Sequence, residues 1–459
     1  MHTMWKPRID RKQGRKAPLY LAVADAIAAD VQAGKLRAGD RLPPQRELAD
    51  ALGVTVTTVT RGYAEAERLG LVTGEVGRGT YVRPPAFTPY AVQQDGLVDL
   101  GTNALLPQAH AGELSKAMAA LVARTDPQRL FNYQPHAGLP EHRAAAAAFL
   151  QKIGVPAEGA NTILTSGAQH AMAVALATIC APKETVLCES VTYTGMRSLA
   201  HHLHVRLHGV PMDHDGLMPD ALEDAALESG GRTLYCMPSI QNPTGSVMSK
   251  KRRKEIAAVA TKLNLTIVED DTYGFLTTGI TPVAALIPDR TFYLTSLSKS
   301  VAPGLRIGFL RAPQNWIDRV VGAVFATTVT VTPVSAALAG MWVQDGTAER
   351  VIEWKRQEVR ARQQLARGVF GGKISGSPES QHIWLPLPAR WSAEDFTRAA
   401  RQRGIIVTAG RDFAVERHDP PNAVRVCLGP PAERTSLTTA LTTLSQILSD
   451  APQAFGMAV

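Results

Sequence analysis

The chain has 459 residues, 45% of them hydrophobic and 20% charged, with a net charge of +8. That length calls for two or three cores, and the composition is that of an ordinary soluble globular protein. Residues 1–83 hold fourteen Lys and Arg against nine Asp and Glu, so most of the positive excess sits in the first fifth of the sequence, as expected of a small domain that meets a polyanion. Cys180, Cys188, Cys236 and Cys427 are scattered without a C-x-x-C pair. This fits a reducing cytoplasm and argues against a disulfide scaffold or a zinc cluster. The first residues are polar and basic, unlike a secretory leader, and a cytoplasmic location is expected.

Behind a basic arm over 1–16, residues 17–83 read as one unit. Leu19, Val23, Ile27 and Val31 line one face of a helix that stops at Gly34. Pro43 and Pro44 suit a helix start, and a short second helix follows to Gly53. Thr55 can cap a third helix with Val59, Tyr63 and Ala66 facing inward. β-prone runs at 71–73 and 80–82 flank GEVGRG, a hairpin loop. Three helices and a hairpin make a winged helix-turn-helix. With Val59 and Tyr63 buried, Thr57, Thr58 and Arg61 face outward beside Thr55, within reach of phosphates and base edges. Arg46 can clamp a phosphate, and Gly77, Arg78 and Gly79 form a wing tip slim enough for a minor groove. Singly, each of these fits a solvated face; the whole layout points to DNA.

Residues 84–97, PPAFTPYAVQQDGL, read as a linker. From 98 to 459, apolar runs such as TVLCES, RTLYCMP, LTIVED and TFYLTS alternate with amphipathic helices. This predicts an α/β body with a mainly parallel sheet covered on both faces, and a smaller C-terminal part from about residue 335. Within it, Ser166-Gly167-Ala168-Gln169 lies between the β-run TILT and a helix, where backbone N–H groups can cradle a phosphate. His201, His202, His204 and His208 are dense but lack a carboxylate at metal spacing, so a surface cluster and no metal site is expected. Asn242, in NPTG, can donate to a phenolic oxygen. The basic run over 250–254 reads as a solvated helix face.

Asp270 ends LTIVED and begins D-x-x-Y with Tyr273; a buried carboxylate there keeps a pyridine nitrogen protonated. SLSKSVAPGLRIG carries the strongest signal: Lys299 can form a Schiff base with an aldehyde cofactor, and Arg306 can fork onto its phosphate. The uncharged stretch 320–343 is long enough to span a bilayer, but its threonines and Pro333 favour a buried helix, a turn and a second helix. Arg425, in VRVCLG, sits on a β-run that would hold its fork rigidly, either for a ligand carboxylate or for Glu416 or Asp419.

Two resemblances follow from these residues. PLYLAVADAIAADVQAGKLRAGDRLPPQRELADALGVTVTTVTRGYAEAERLGLV and GRGTYV resemble the GntR family of bacterial winged-helix repressors. Family members commonly carry Arg after the Ser or Thr that opens the recognition helix, and here that position is Val56. The second half is similar to fold-type-I pyridoxal 5'-phosphate (PLP) enzymes, the aspartate aminotransferase superfamily. That resemblance implies Lys299 as the Schiff-base lysine, Asp270 as partner of the ring nitrogen, and Asn242 and Tyr273 on the phenolic oxygen. It assigns the phosphate to Ser296, Arg306, Gly167, Ala168 and Gln169, ring stacking to Tyr193, and the substrate carboxylate to Arg425. Tyr133 would reach a neighbour's phosphate across a homodimer interface; for Tyr133 and Tyr193 the alternative is a core aromatic. The fusion resembles the MocR subfamily, which implies a DNA-binding regulator that senses an amino acid or related amine as an external aldimine on PLP. An active aminotransferase is the alternative reading.

Overall fold

Thr55 starts the third helix as its residue type suggests: its Oγ1 accepts the Thr58 backbone N–H at 3.2 Å, supplying one of the acceptors a helix start lacks. The computed structural model describes residues 5, 18–32, 35–36, 40–69, 71–75, 79–82, 97–104, 111–124, 127–416 and 420–450. They divide into two units, Met1–Val92 and Gln93–Val459.

The first unit contains α1 (Leu19–Gln32), α2 (Gln45–Leu52), α3 (Val56–Arg68), β1 (Val72–Glu75) and β2 (Gly79–Val82). Gly53 closes α2 with φ 61°, a left-handed backbone that favours glycine. Val59, Tyr63 and Ala66 of α3 are buried against Val23, Ala24 and Ile27 of α1. Contrary to the sequence expectation, Leu19 is 39% exposed. A series spaced by four residues drifts about 40° per step around a helix of 3.6 residues per turn, so the ends of the Leu19 to Val31 row leave the buried face. A Cβ on Gly62 would lie 2.7 Å from Val23 Cβ, so glycine lets α1 and α3 approach. The hairpin is antiparallel, from Val72 opposite Val82 to Glu75 opposite Gly79. Gly77 and Arg78 of the expected wing tip, and nearly all of the 84–97 linker, lie outside the described residues.

The second unit opens with β3 (Val98–Asp99), α4 (Ala111–Arg124), α5 (Pro127–Phe131), α6 (Pro140–Lys152), β4 (Thr162–Thr165) and α7 (Ala168–Ile179). There follow β5 (Thr185–Glu189), α8 (Thr194–His202), β6 (Arg206–Val210), β7 (Met212–Asp213), β8 (Gly216–Leu217), α9 (Pro219–Ser229) and β9 (Thr233–Cys236). Next come α10 (Lys250–Lys262), β10 (Thr266–Asp270), α11 (Val283–Leu286), β11 (Thr291–Ser296), α12 (Leu297–Ser300) and β12 (Gly308–Arg311). The chain ends through α13 (Ile317–Thr328), α14 (Pro333–Gln344), α15 (Thr347–Phe370), β13 (His382–Pro386), α16 (Ala393–Gln402), β14 (Ile405–Ile406), β15 (Thr408–Ala409), β16 (Ala423–Cys427) and α17 (Arg434–Ser449).

Seven strands form one sheet in the order β4-β12-β11-β10-β9-β5-β6. All neighbours are parallel except β12, which runs against both β11 and β4. Alternate residues of each central strand enter different cores. Val186, Cys188, Tyr235 and Val268 pack with α6, α7 and α14, whereas Leu187, Leu234, Cys236 and Ile267 pack with α9 and α10. Burial on both faces explains why these strands read as continuous apolar runs.

A third core joins Leu100 to residues from Ala366 to Leu448, around the sheet β13-β16-β15. Residues of α14 and the first half of α15, through Val359, belong to the larger core. The smaller part therefore begins inside α15, later than residue 335, and takes in β3, which pairs with β14.

The 320–343 stretch is two helices with a turn, and among the described residues no helix is long and apolar enough to cross a membrane. The basic run over 250–254 is not a solvated face throughout. Arg252 pairs with Asp213 at 2.8 Å, and Arg253 is 1% exposed, donating to Met248 O and Pro238 O. Five consecutive residues span more than a full helical turn, so a helix docked on a sheet must turn some of them inward. His201 and His202 end α8 and His208 lies on β6; no group of His, Cys, Asp or Glu among the described residues is placed to hold a metal ion.

Candidate functional site

The carboxyl ends of β10 and β11 and the loop after β4 bring the predicted groups of the body together. Asp270 ends β10, and Lys299 lies on α12 directly after β11. Open sheets of this kind bind ligands outside the carboxyl ends of their strands. Lys299 Nζ donates to the Asn103 carbonyl oxygen. Burial, aided by the charges of Arg425 and Arg306, brings its amine down to about 8. From α15, Lys355 Nζ donates to Lys299 O at 2.9 Å and to Val301 O at 2.8 Å, fixing the turn that carries Lys299. Burial and the Lys299 charge push Lys355 down to about 7.

Asp270 is 5% exposed. Its Oδ2 accepts the Tyr235 hydroxyl at 2.8 Å, and its Oδ1 accepts the Thr272 hydroxyl at 2.6 Å and the Thr272 N–H at 3.1 Å. Burial raises its carboxyl above the usual range, and these donors oppose the rise. A cationic ring nitrogen here would supply the counter-charge that those neutral donors do not.

Gly167, with φ 90°, precedes α7, which has no side-chain cap at its start. The helix start therefore offers free N–H groups and the positive end of the helix dipole. Arg306 closes the cradle: its Nη2 donates to Ser166 O at 3.2 Å and its Nη1 to Ser298 Oγ at 3.3 Å. A Cβ on Gly167 would stand 2.7 Å from Arg306 Nη2, so only glycine leaves the space. Ala168 opens the helix and Gln169 ties itself to Gly195 O at 3.2 Å. Ser296 is buried at the head of α12; the hydroxyl beside Arg306 is that of Ser298. Tyr193 precedes α8 and is half-buried, with its ring so close to Gly195 that a Cβ there would lie 2.3 Å away. Tyr133 is no core aromatic, being 90% exposed.

Arg425 stands on β16 and donates to Asn242 Oδ1 at 2.7 Å and to Gly101 O at 2.5 Å. Its guanidinium lies 4.7 Å from the Phe413 ring centroid, and its buried Nε has no partner among the described residues. None of these bonds goes to Glu416, and Asp419 lies outside the described residues. Tyr273 is buried, and its hydroxyl accepts from Asn103 Nδ2 at 3.0 Å. Asn103, Tyr235, Thr272, Ser298, Lys355, Gln381 and His382 escaped the sequence reading. Thr272 and Ser298 bond close by in the chain, to Asp270 and Arg306, whereas Asn103, Tyr235, Lys355, Gln381 and His382 act through bonds to residues distant in the chain that nothing in the local pattern marks.

In the first unit, Arg46, Thr55, Thr57 and Arg61 are exposed and Thr58 is half-buried, its hydroxyl 2.9 Å from that of Thr55. Arg61 stacks over Tyr20 of α1, 4.2 Å from the ring centroid. Thr60 ties α3 to Gln45 of α2 at 2.7 Å. Gly79 opens β2 with φ 118°, against Arg41.

A helix-turn-helix unit followed by a body with a lysine, an aspartate and a glycine–arginine cradle at its strand ends defines the class: a DNA-binding domain joined to an aminotransferase-like one. Residues 19–82 match the family model for bacterial regulatory proteins of the gntR family, and residues 95–441 that for aminotransferase class I and II. The chain belongs to the aminotransferase class I and II family and carries a GntR-type helix-turn-helix domain in front of it, the MocR architecture. It is 31% identical to the HTH-type transcriptional regulator YdeF of Bacillus subtilis (strain 168) over 97% of both chains. It is 28% identical to the vitamin B6 salvage pathway transcriptional repressor PtsJ of Salmonella typhimurium, over 88% of this chain and 93% of that one. An archaeal alanine:glyoxylate aminotransferase shares the fold of the body, with a TM-score of 0.71 and 24% identity over 77% of this chain and 91% of that one.

Proposed function

We propose that this protein is a transcription regulator that holds PLP at Lys299 and changes its grip on DNA when an amino acid or related amine enters the body. The observation that carries the reading is the meeting of Lys299, Asp270, Arg306 and Arg425 in one chain with a GntR-type domain. Aminotransferases of class I and II are PLP-dependent proteins, and the cradle and the buried acid suit a phosphate and a pyridine ring. Asp270 would pair with the ring nitrogen, and Asn242 and Tyr273 would meet the phenolic oxygen. Gly167, Ala168, Gln169, Ser296 and Arg306 would hold the phosphate, with Tyr193 against the ring. Bound there, PLP supplies an aldehyde that traps primary amines; Arg425 selects those bearing a carboxylate.

The regulator works as a homodimer in this reading. Met118, Val122, Phe131, Phe325 and Val329 expose apolar surface, as an interface does before it is covered. Phe325 and Val329 meet His136, three residues beyond Tyr133, so a partner bound there would lie close to Tyr133. On DNA, Arg46, Thr55, Thr57, Thr58 and Arg61 face the duplex, with Gly77, Arg78 and Gly79 assigned the wing's contacts. The second reading, an active aminotransferase, is favoured by the Lys299 amine at about 8, where it can move protons near neutral pH.

The test is a visible absorbance titration of the purified protein with amino acids, their decarboxylated amines and B6 vitamers, alongside DNA-binding measurements. A spectral change with a matching change in DNA affinity supports regulation. Turnover with a 2-oxo acid and no change on DNA supports the enzyme.

A further inference from the structure

Asn103 is the hub of a buried polar cluster behind Tyr273. Its Oδ1 accepts from Gln381 Nε2 at 2.5 Å, and its Nδ2 lies 3.0 Å from the Tyr273 hydroxyl and 3.2 Å from His382 Nδ1. The other ring nitrogen, His382 Nε2, faces Gln241 O at 3.1 Å. A carbonyl oxygen only accepts, so His382 Nε2 carries the hydrogen. In the neutral ring Nδ1 is then an acceptor, which requires the Asn103 NH2 group to face it. The reverse amide orientation would set two acceptors 3.2 Å apart. One hydrogen of that NH2 goes to His382 and the other to Tyr273, so the Tyr273 oxygen accepts and its own proton is left free.

We propose that Asn103 and His382 are positioning residues that fix the direction of the Tyr273 hydroxyl, keeping its proton available to the cofactor's phenolic oxygen. The proposal rests on the PLP reading above and deepens it. Neutrality of His382 is part of the device: burial, with the Arg425 and Lys299 charges, holds the imidazole down at about 3, so the relay keeps its polarity through the physiological range. Arg425, Tyr193, Cys427 and Asp270 are the other titratable groups that act on Tyr273. Asn103 also lends its backbone oxygen to Lys299, a bond that a side-chain substitution leaves in place.

A proton donated to the phenolic oxygen stabilises its anionic form and holds down the pH midpoint at which the bound cofactor's visible spectrum changes. The experiment is a spectroscopic pH titration of the PLP-loaded full chain and its variants. Tyr273→Phe should raise the midpoint by about one unit, the scale of one lost hydrogen bond to a charged oxygen. Asn103→Asp, which has no N–H to offer and draws the Tyr273 proton to itself, should raise it comparably. In the Tyr273→Phe background Asn103→Asp should add little. An unchanged midpoint in Asn103→Asp overturns the proposal, and so does an equal rise in both backgrounds, which is the signature of added charge alone. Should Asn103→Asp not fold, ring-nitrogen NMR of isotope-labelled histidine in the wild type, assigned with His382→Gln, decides: a hydrogen on Nε2 alone supports the relay and a hydrogen on Nδ1 overturns it. A wild type that takes up no PLP overturns the cofactor reading itself, an outcome distinct from all of these.

Discussion

Lys355 reaches the backbone of Lys299 from a different layer of the body, donating to Lys299 O at 2.9 Å. Burial lowers the proton affinity of both amines, Lys355 to about 7, with the Lys299 charge adding to the effect, and Lys299 to about 8. A neutral amine still has two hydrogens, enough for both carbonyls that Lys355 serves. Because its folded-state pKa lies below its unfolded value of 10.5, the unfolded chain binds more protons between about pH 7 and pH 10.5. Lys355 therefore contributes stability that rises with pH across that window, by up to ~1.4 kcal/mol per unit. Denaturant unfolding at several pH values should show this rise in the cofactor-free body. Lys355→Met should make the rise shallower, leaving the share of Lys299, while lowering stability near neutral pH by about 1–3 kcal/mol, since two buried carbonyls lose their donor. A slope equally steep in the variant would show that other groups carry it.

Gly167→Ala is expected to weaken PLP binding roughly ten- to a hundredfold, given a strain of about 1–3 kcal/mol at this backbone conformation. The added methyl would also stand 2.7 Å from Arg306 Nη2, so the guanidinium must leave the cradle. Equilibrium binding followed by cofactor absorbance checks this, with circular dichroism to confirm that the fold persists. Undiminished affinity would place the phosphate elsewhere.

Binding to an operator recovered by selection from random DNA should fall steeply with salt, since phosphate contacts release counterions. Arg61→Ala should lower affinity by about 1–3 kcal/mol, and Lys251→Ala, on the exposed start of α10, should leave it unchanged. Tyr20→Leu removes the ring under the Arg61 guanidinium and should cost less than Arg61→Ala. Anisotropy titrations of the three variants settle the order. Equal losses for Arg61→Ala and Lys251→Ala would mean the recognition surface lies elsewhere.

Pro43, Pro44 and Gly53 bracketed α2, and Thr55 and Gly53 act as the cap and stop their types suggest. The strand ends carrying Asp270 and Lys299 were legible because each motif is local: a β-run, then a reactive group. What the sequence hid was every partner supplied across the fold. Asn103 lies 170 residues from Tyr273 in sequence and Lys355 lies 56 from Lys299. Arg252 and Arg253 look like surface charge because their acids, Asp213 and Glu269, are brought close only by packing. The start of the smaller core has no local mark in the sequence for a related reason: α15 is one uninterrupted helix of 24 residues that passes from one core to the other.

Arg425 should decide which amines the body accepts. The guanidinium has five N–H hydrogens, of which two are engaged, by Asn242 Oδ1 and Gly101 O. Its buried Nε–H has no partner among the described residues, and leaving such a donor unpaired costs about 1–3 kcal/mol. A ligand carboxylate would satisfy it and meet a second N–H at the same time. The aldehyde that Lys299 would hold does not distinguish an amino acid from its decarboxylated amine, so the distinction falls to this fork. The wild type should therefore respond spectrally to an amino acid at far lower concentration than to the matching amine. In Arg425→Ala the cofactor band should persist and the two response curves should converge. Arg425→Lys should restore little of the preference, because an ammonium keeps the charge but lacks the fork. The alanine variant also strips a donor from Asn242 and Gly101, so a general loss of stability is expected with it. Convergence of the two curves is what separates the specific role from that loss, since damage to the site would weaken both ligands alike. An alanine variant that still prefers the amino acid as the wild type does would move the carboxylate anchor to another residue.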